Sequence, residues 1–491
     1  MARSTESNHA LTGSLMSNQR STRHDLERYA RLLADRTNGV KKSAMRDMMS
    51  ITDRPEVITL AGGLPDTQSF PRDLLESVFV EMARKHGTEL LQYTPTDGLT
   101  GVKEAIVEVM AAENVHADVD NILVTTGGQQ AIDLITRIFV NPGDTIITEA
   151  PTYPGAVPSF LSFQAEAVQI ELDDDGMRID LLERELERLD GEGIQPKFIY
   201  TVPTFHNPAG VTMSLERRAR LVEIANEREL LVVEDNPYGM LRFSGEPLPT
   251  LRELDGGNFV IYLGTFSKIL APGLRMGWIE APSPVIEKSG IAKAAADLNS
   301  SGLAQFMITT YFEQADWRDW VHTAGAIYKS RRDTMLAALE RYFPPEATWT
   351  KPDGGLFIWA TLPEMFDTTD LLALALRNNV AFVPGEGAYL GSGESRGRNS
   401  MRLNFSGVPE EKITEGIKRI GEVIAGQLDL WRTMTGEHRA VALPDEPGGG
   451  ARIFSLGGRK LKKSGDAAQA ADEQSATPDS SDAQRLDRDE I

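Results

Sequence analysis

The chain has no cysteine among its 491 residues. Disulfides, thiolate metal sites and cysteine nucleophiles are therefore excluded, and no metal is expected. It also lacks any run of about 18 apolar residues, so no membrane-spanning helix is expected. Residues Met1–Asn18 are polar and contain no apolar stretch of signal-peptide length, which predicts a cytoplasmic protein that is not exported. Positive charge is in deficit: 51 Lys and Arg stand against 72 Asp and Glu, a net charge of −21. That balance argues against nucleic acid or an anionic membrane as a partner. The rest is ordinary for a globular protein, with 41% hydrophobic and 25% charged residues, enough to bury a core. At roughly 150 residues per domain the length suggests about three units.

Composition and periodicity divide the chain. Residues 1–24 are rich in Ser, Thr, Asn and Gln and are expected to be a disordered extension. Residues 25–75 form an N-terminal arm. Within it, Leu26, Tyr29, Leu32 and Leu33 predict a helix over Asp25–Met49, with a break at Asn38-Gly39. A turn-rich segment, Leu60–Pro65, follows. Residues 76–320 read as a large domain in which short β-branched runs alternate with amphipathic ones. Strands are predicted at Asn121–Thr126, Thr145–Glu149, Lys197–Val202, Leu230–Glu234, Phe259–Leu263 and Met276–Glu280. Helices are predicted at Gln129–Val140 and Ser214–Arg228. This alternation implies an α/β layered domain with a largely parallel sheet. From about Gly302 to Tyr342 the pattern is helical for a long stretch, and residues 321–432 are expected to make a smaller α+β domain that includes a strand near Gly354–Trp359. Residues 433–491 turn to Pro, Gly, Ala, Ser and Asp and are expected to be a disordered tail.

Five short segments carry chemistry. In Gly264-Thr265-Phe266-Ser267-Lys268, a lysine follows a strand, two hydroxyls flank it, and Arg275 lies seven residues on. A lysine taken alone is usually a solvated surface charge. Hydroxyls and a guanidinium make an anion site, and an amine beside a phosphate site suits an aldehyde-phosphate cofactor. In Val124–Gln130 a strand runs into Gly127-Gly128 and then a helix, whose free N–H groups can bind phosphate; the alternative is a turn kept for packing. The spacing is not that of a dinucleotide fingerprint. Asp235 ends an apolar strand, where it is either a turn residue or the partner of a protonated ring nitrogen. Pro203–Gly210 is a turn by composition, in which Asn207 can donate to a cofactor oxygen, as can Tyr238. Arg402, inside a strand pattern, is either an edge residue or a carboxylate clamp.

Taken together these pieces resemble the class I/II aminotransferases that depend on pyridoxal 5′-phosphate (PLP fold type I), in particular the 2-aminoadipate and kynurenine aminotransferase branch. The matching segments are Leu60–Pro65, Gln92–Gly98, Thr125–Gln130, Pro151–Gly155, Pro203–Gly210, Glu234–Tyr238, Gly264–Trp278, Gly354–Trp359 and Arg402–Ser406, in family order over roughly residues 40 to 430. The resemblance implies a large domain with a mostly parallel mixed sheet flanked by helices, plus a smaller α+β domain. It makes Lys268 the Schiff-base lysine and proton shuttle, and Asp235 the partner of the ring nitrogen. Asn207 and Tyr238 would bind the ring hydroxyl, and Tyr153 would stack on the ring. Gly128, Gln129, Ser267 and Arg275 would hold the phosphate, with Thr265 a weaker candidate. Tyr93 would reach the phosphate of a neighbouring subunit in a homodimer with shared sites. Arg402 would take the substrate α-carboxylate, Gly63 and Asn207 would line the substrate pocket, and Arg46 would meet acidic substrate side chains.

Two positions depart from the pattern: His206 stands where relatives usually have Gln, and Gly128 where many have Ser. The implied reaction moves an amino group from an L-amino acid (2-aminoadipate, aromatic, branched-chain or similar) to a 2-oxo acid, 2-oxoglutarate being the expected acceptor, by a ping-pong route. A lyase or decarboxylase on the same fold is the alternative. A regulator with a DNA-binding domain ahead of this fold is disfavoured by the short N-terminal segment and the charge.

Overall fold

The computed structural model describes residue 29 and residues 32–37, 54–390 and 396–435. Most of the helix expected over Asp25–Met49, and Arg46 with it, lies outside the described residues. Inside them the expectation is met at Tyr29, which is helical, and fails beyond it: Leu32 and Leu33 stand exposed in a turn, and a single 3-10 turn, Asp35–Thr37, follows. An apolar stripe stabilises a short helix only when a core receives it, and neither leucine is covered here.

The first strand, β1 (Ile58–Thr59), pairs in parallel with a later one, β12 (Val380–Ala381). Between them lies an eight-stranded sheet: β2 (Ile122–Thr125), β3 (Thr145–Ala150), β4 (Glu166–Asp173), β5 (Gly176–Met177), β6 (Phe198–Thr201), β7 (Leu231–Asp235), β8 (Val260–Thr265) and β9 (Gly277–Glu280). Their spatial order is β2-β9-β8-β7-β6-β3-β4-β5. The pairs from β8 through β4 are parallel, and β9 runs antiparallel between β2 and β8. Each predicted strand is present within about two residues at either end, the usual uncertainty of a strand boundary. The sequence pattern misses β4 and β5, because β4 is only partly buried and its Glu, Gln and Asp blur the alternation.

Both faces of this sheet are covered, which is why its strands read as near-continuous apolar runs. Ile147, Ile199, Val232 and Val260 pack on one face with Leu182, Leu186, Leu221 and Ile224 of the helices Ile179–Gly191 and Leu215–Arg228. Leu123, Phe198, Val233, Ile261 and Ile279 face the other way, onto Ile132 and Ile135 of the helix Gly128–Phe139. The long helical stretch divides into Gly302–Gln314 and Trp317–Tyr342. Asp316 caps the second helix by accepting from the Arg318 N–H, which explains the break that continuous periodicity hid.

A second sheet holds β10 (Thr348–Trp349), β11 (Phe357–Thr361), β13 (Val383–Pro384) and β14 (Ser400–Asn404), all antiparallel, in the order β10-β11-β14-β13. Among the described residues no helix is long and apolar enough to cross a membrane.

Candidate active site

In an open parallel sheet the loops leaving the carboxyl ends of the strands meet at one edge, and ligands bind there. Here those loops carry Gly127-Gly128 after β2, Tyr153 after β3, Asn207 after β6, Tyr238 after β7 and Lys268 after β8. β9 runs the opposite way, so its start, just past Arg275, lies at this same edge. The sheet therefore gathers most of the expected residues without any help from their order in the chain.

Lys268 sits on a single turn of helix, Phe266–Ile269, directly after β8. Its Nζ donates to the Gly63 carbonyl at 2.7 Å, and it lies 6.0 Å from the centre of the Tyr238 ring. Burial, with help from the positive charges of Arg402 and Arg275, lowers its pKa to about 8. A measurable fraction of the amine is then neutral near pH 7.5, roughly a quarter, against about a thousandth for an ordinary lysine. In the cofactor-free protein, acylation of Lys268 followed by peptide mass mapping is expected to rise with pH through a midpoint of about 8. A midpoint at the ordinary lysine value would refute the half-buried, cation-flanked setting.

Across the edge, Asp235 is buried and accepts a hydrogen bond from the Tyr200 hydroxyl at 2.5 Å. Burial raises its pKa to about 6, opposed by the Tyr200 bond and by His206, while Glu149 adds to the rise. Asp235 thus ionises below neutral pH and needs a cation. Asn207 and Tyr238, expected to share one cofactor oxygen, meet: the Asn207 amide donates to the Tyr238 hydroxyl at 3.2 Å. The other end of that amide accepts from Arg402 at 2.9 Å. Arg402 also donates to the Ala61 carbonyl at 2.9 Å, and its guanidinium lies 4.4 Å from the Phe357 ring centre. It is buried, not an edge residue, and burial brings its pKa down to about 10. Tyr153 is close enough to feel Asp235, Arg402 and Arg275, although burial is the larger cause of its raised pKa.

The anion pocket is built from backbone as much as side chain. Gly127 has φ +79°, and a Cβ there would lie 2.6 Å from the Arg275 guanidinium. Gly277 is pressed against the same turn, its missing Cβ only 2.8 Å from the Gly127 carbonyl carbon and the Gly128 nitrogen. The two glycines let Arg275 and the start of the helix Gly128–Phe139 come together. The first N–H groups of that helix have no partner within it and lie at the positive end of its dipole. The Gln129 side chain is turned away, donating to the Gly155 carbonyl at 2.8 Å and to Ser159 at 3.1 Å. It braces the Tyr153 loop, and only its backbone N–H is left for an anion. Thr265 is occupied internally: it accepts from the Ser267 N–H at 3.1 Å and lies 3.0 Å from the Met276 carbonyl. Ser267, 2.9 Å from Thr265, is oriented by it.

Three residues stand apart from this cluster or escape the sequence reading. Tyr93 is 78% exposed and makes no side-chain contact with the cluster among the described residues. Tyr200 carries no local signal, because only the register between β6 and β7 places it near Asp235. Glu149, buried at the end of β3, accepts from Thr201 at 2.6 Å and from the Val202 N–H at 2.9 Å, and faces His206 at 3.0 Å. His206 in turn accepts from the Ala209 N–H at 3.1 Å. Through the Ala209 bond His206 braces the loop that carries Asn207.

A half-buried lysine, an anion pocket at a helix start, a buried carboxylate and a buried arginine define an α/β enzyme that handles a phosphate-bearing ligand together with a carboxylate. The residues present fit pyridoxal phosphate: Arg275 and the helix start suit its phosphate, Asp235 its ring nitrogen, and Lys268 its aldehyde. Comparison with known proteins gives the family. The model for aminotransferase class I and II matches residues 55–420. The aromatic-amino-acid aminotransferase 1 of Thermococcus litoralis is 45% identical over 401 residues, covering 82% of this chain and 95% of its own. The kynurenine aminotransferase of Pyrococcus horikoshii, solved with PMP, is 42% identical with a TM-score of 0.77, covering 81% of this chain and 98% of its own. The alpha-aminoadipate aminotransferase of Thermus thermophilus, solved with N-(5′-phosphopyridoxyl)-L-leucine, is 32% identical with a TM-score of 0.76, covering 82% and 99%. The chain belongs to the aminotransferase class I and II family. It is a pyridoxal-phosphate-dependent aminotransferase of fold type I that acts on amino acids and oxo acids.

Proposed function

We propose that the enzyme takes the amino group of an L-amino acid with an aromatic or a long acidic side chain and passes it to 2-oxoglutarate by a ping-pong route. The observation that carries this reading is the half-buried Lys268, its Nζ 2.7 Å from the Gly63 carbonyl, in a site that also holds Arg402. An amine that can be neutral near physiological pH and a fixed guanidinium are what a proton transfer at the α-carbon of an amino acid requires.

The roles divide as follows. Arg275, Ser267 and the backbone N–H groups of Gly128 and Gln129 hold the phosphate. Asp235 holds the ring nitrogen, Asn207 and Tyr238 the ring oxygen, and Tyr153 covers the ring. When bound, the cofactor supplies a sink for the electrons left at the substrate α-carbon. Arg402 grips the α-carboxylate and so fixes which bond at the α-carbon is presented. Lys268 takes the α-proton on its Nζ and delivers it on the same face, while Tyr238 and Phe357 keep that space free of bulk water. Gly63 would lie beside the substrate, where a Cβ of its own would come within 3.3 Å of the Phe357 ring.

The donor class follows the relatives, which are named for aromatic amino acids, kynurenine and alpha-aminoadipate. Arg46 remains our candidate for acidic side chains. Tyr93 is assigned to the phosphate of a second copy, in keeping with its exposure and that of Leu91 beside it. The dimer is tested by the mass of the active species: activity confined to a particle of about twice the chain mass supports it, and an active monomer overturns it. The reaction is tested by adding single amino acids to the purified enzyme without an acceptor. One oxo acid per bound cofactor, with loss of the visible absorbance band, is expected for aromatic donors and 2-aminoadipate. Release of ammonia or carbon dioxide in place of that single oxo acid would favour a lyase or decarboxylase.

A further inference from the structure

The strand register puts an unassigned side chain directly behind the ring-nitrogen partner. Tyr200 in β6 pairs with Val233 in β7. Side chains two residues apart on a strand share a face, so Asp235 lies on the Val233 face, one step toward the active-site edge. The Tyr200 ring is buried and held edge-on by Phe160, with centroids 5.4 Å apart. From there its hydroxyl runs along β7 and donates to Oδ2 of Asp235 at 2.5 Å. Among the described residues no hydrogen bond reaches Oδ1, and that oxygen is not fully buried. One oxygen of the carboxylate is therefore held by Tyr200 while the other keeps some exposure and no hydrogen-bond partner among the described residues.

We propose that Tyr200 is a positioning residue: its hydroxyl locks the Asp235 carboxylate so that the free oxygen meets the protonated ring nitrogen of the cofactor. The inference rests on Asp235 being the partner of that nitrogen. A hydrogen bond from a phenol to a carboxylate favours the charged form of the carboxylate and fixes its plane. Both effects oppose the cost of burying Asp235, which pushes it toward the neutral form. The other titratable groups that face Asp235 are Glu149 from β3, His206 from the loop after β6, Tyr153 from the loop after β3 and Tyr238 from the loop after β7. Glu149 disfavours the charged form and His206 favours it. None of these four hydrogen-bonds to the carboxylate, so Tyr200 alone sets its direction among the described residues.

The test compares equilibrium binding of pyridoxal phosphate and of its 1-deaza analogue, in which a C–H replaces the ring nitrogen, to the full-length apoprotein. The wild type is expected to hold pyridoxal phosphate more tightly than the analogue by roughly 10- to 100-fold, the worth of a charge-assisted hydrogen bond. In Tyr200→Phe that preference is expected to fall by roughly tenfold, with binding of the analogue nearly unchanged. Loss of affinity for both ligands alike would make Tyr200 a packing residue and overturn the proposal, as would a preference equal to that of the wild type. Absence of any preference in the wild type would instead overturn the assignment of Asp235. Retained binding of the analogue shows that the variant is folded.

Discussion

Replacing Lys268 with alanine is expected to lower transamination by at least about 10⁴-fold, because the proposed mechanism makes one side chain both the nucleophile for the cofactor and the acid–base group. Arg402 and Arg275 are the neighbouring bases and cannot take its place, since a guanidinium does not give up its proton near neutrality. For the same reason Lys268→Arg, which keeps the charge, should be as inactive as Lys268→Ala. That comparison separates the proton-transfer role from a merely electrostatic one. Cofactor should remain bound in Lys268→Ala, because the anion pocket around Gly127, Arg275 and the helix Gly128–Phe139 does not depend on the lysine. The measurement is oxo acid formed per bound cofactor per unit time. A residual rate above about one per cent of wild type, in excess of any contaminating enzyme, would remove Lys268 from the mechanism. Partial recovery on adding a small primary amine would restore it to that role.

The second large effect is expected at Arg402. Replacing it with methionine should cost about 10²- to 10³-fold in kcat/KM, the range seen when one member of a buried, hydrogen-bonded charge pair is removed. Much of that cost should appear in KM. The guanidinium is fixed from two sides, by Asn207 and by the Ala61 carbonyl, and rests on Phe357. Little ordering is left for a ligand to impose, so in the proposed role a substrate carboxylate would meet a pre-set fork. A lysine at this position is not equivalent: in Arg402→Lys a point charge replaces two parallel donors, and an intermediate loss is expected. The discriminating measurement sets an amino acid against the amine that lacks its carboxylate. The wild type should prefer the amino acid strongly, and Arg402→Met should lose most of that preference. An unchanged ratio would mean that another group binds the carboxylate.

Much of the site was legible because its residues occupy local punctuation. Asp235 ends an apolar strand, Lys268 follows one, and Gly127-Gly128 separates a strand from a helix. Each was recognisable within about ten residues of chain, since a strand end, a glycine turn and a helix start are local events. The same locality explains the strand boundaries, which held wherever a strand was buried on both faces. It failed at β4, a partly covered strand with polar residues, and at Leu32 and Leu33, whose helical spacing had no face to pack against. It also passed over the break between Gln314 and Trp317, because a cap set by one aspartate does not interrupt the apolar period on either side.

By itself, then, the sequence determined the alternation of strand and helix, the α/β class and the identity of the residues at each strand end. Those are consequences of backbone preference and of side-chain spacing, which act over a few residues. Tertiary structure alone decided the rest. It turned β9 antiparallel, so that Arg275 came to the same edge as Gly127. It brought the Gly63 carbonyl to Lys268 across 205 residues of chain, and Asn207 to Arg402 across 195. It turned the Gln129 side chain away from the anion pocket and placed Tyr200 behind Asp235. Such pairings depend on register and on how closed loops are laid against one another. No short-range rule encodes either, because the contact energies that choose between registers exist only once both strands are in place.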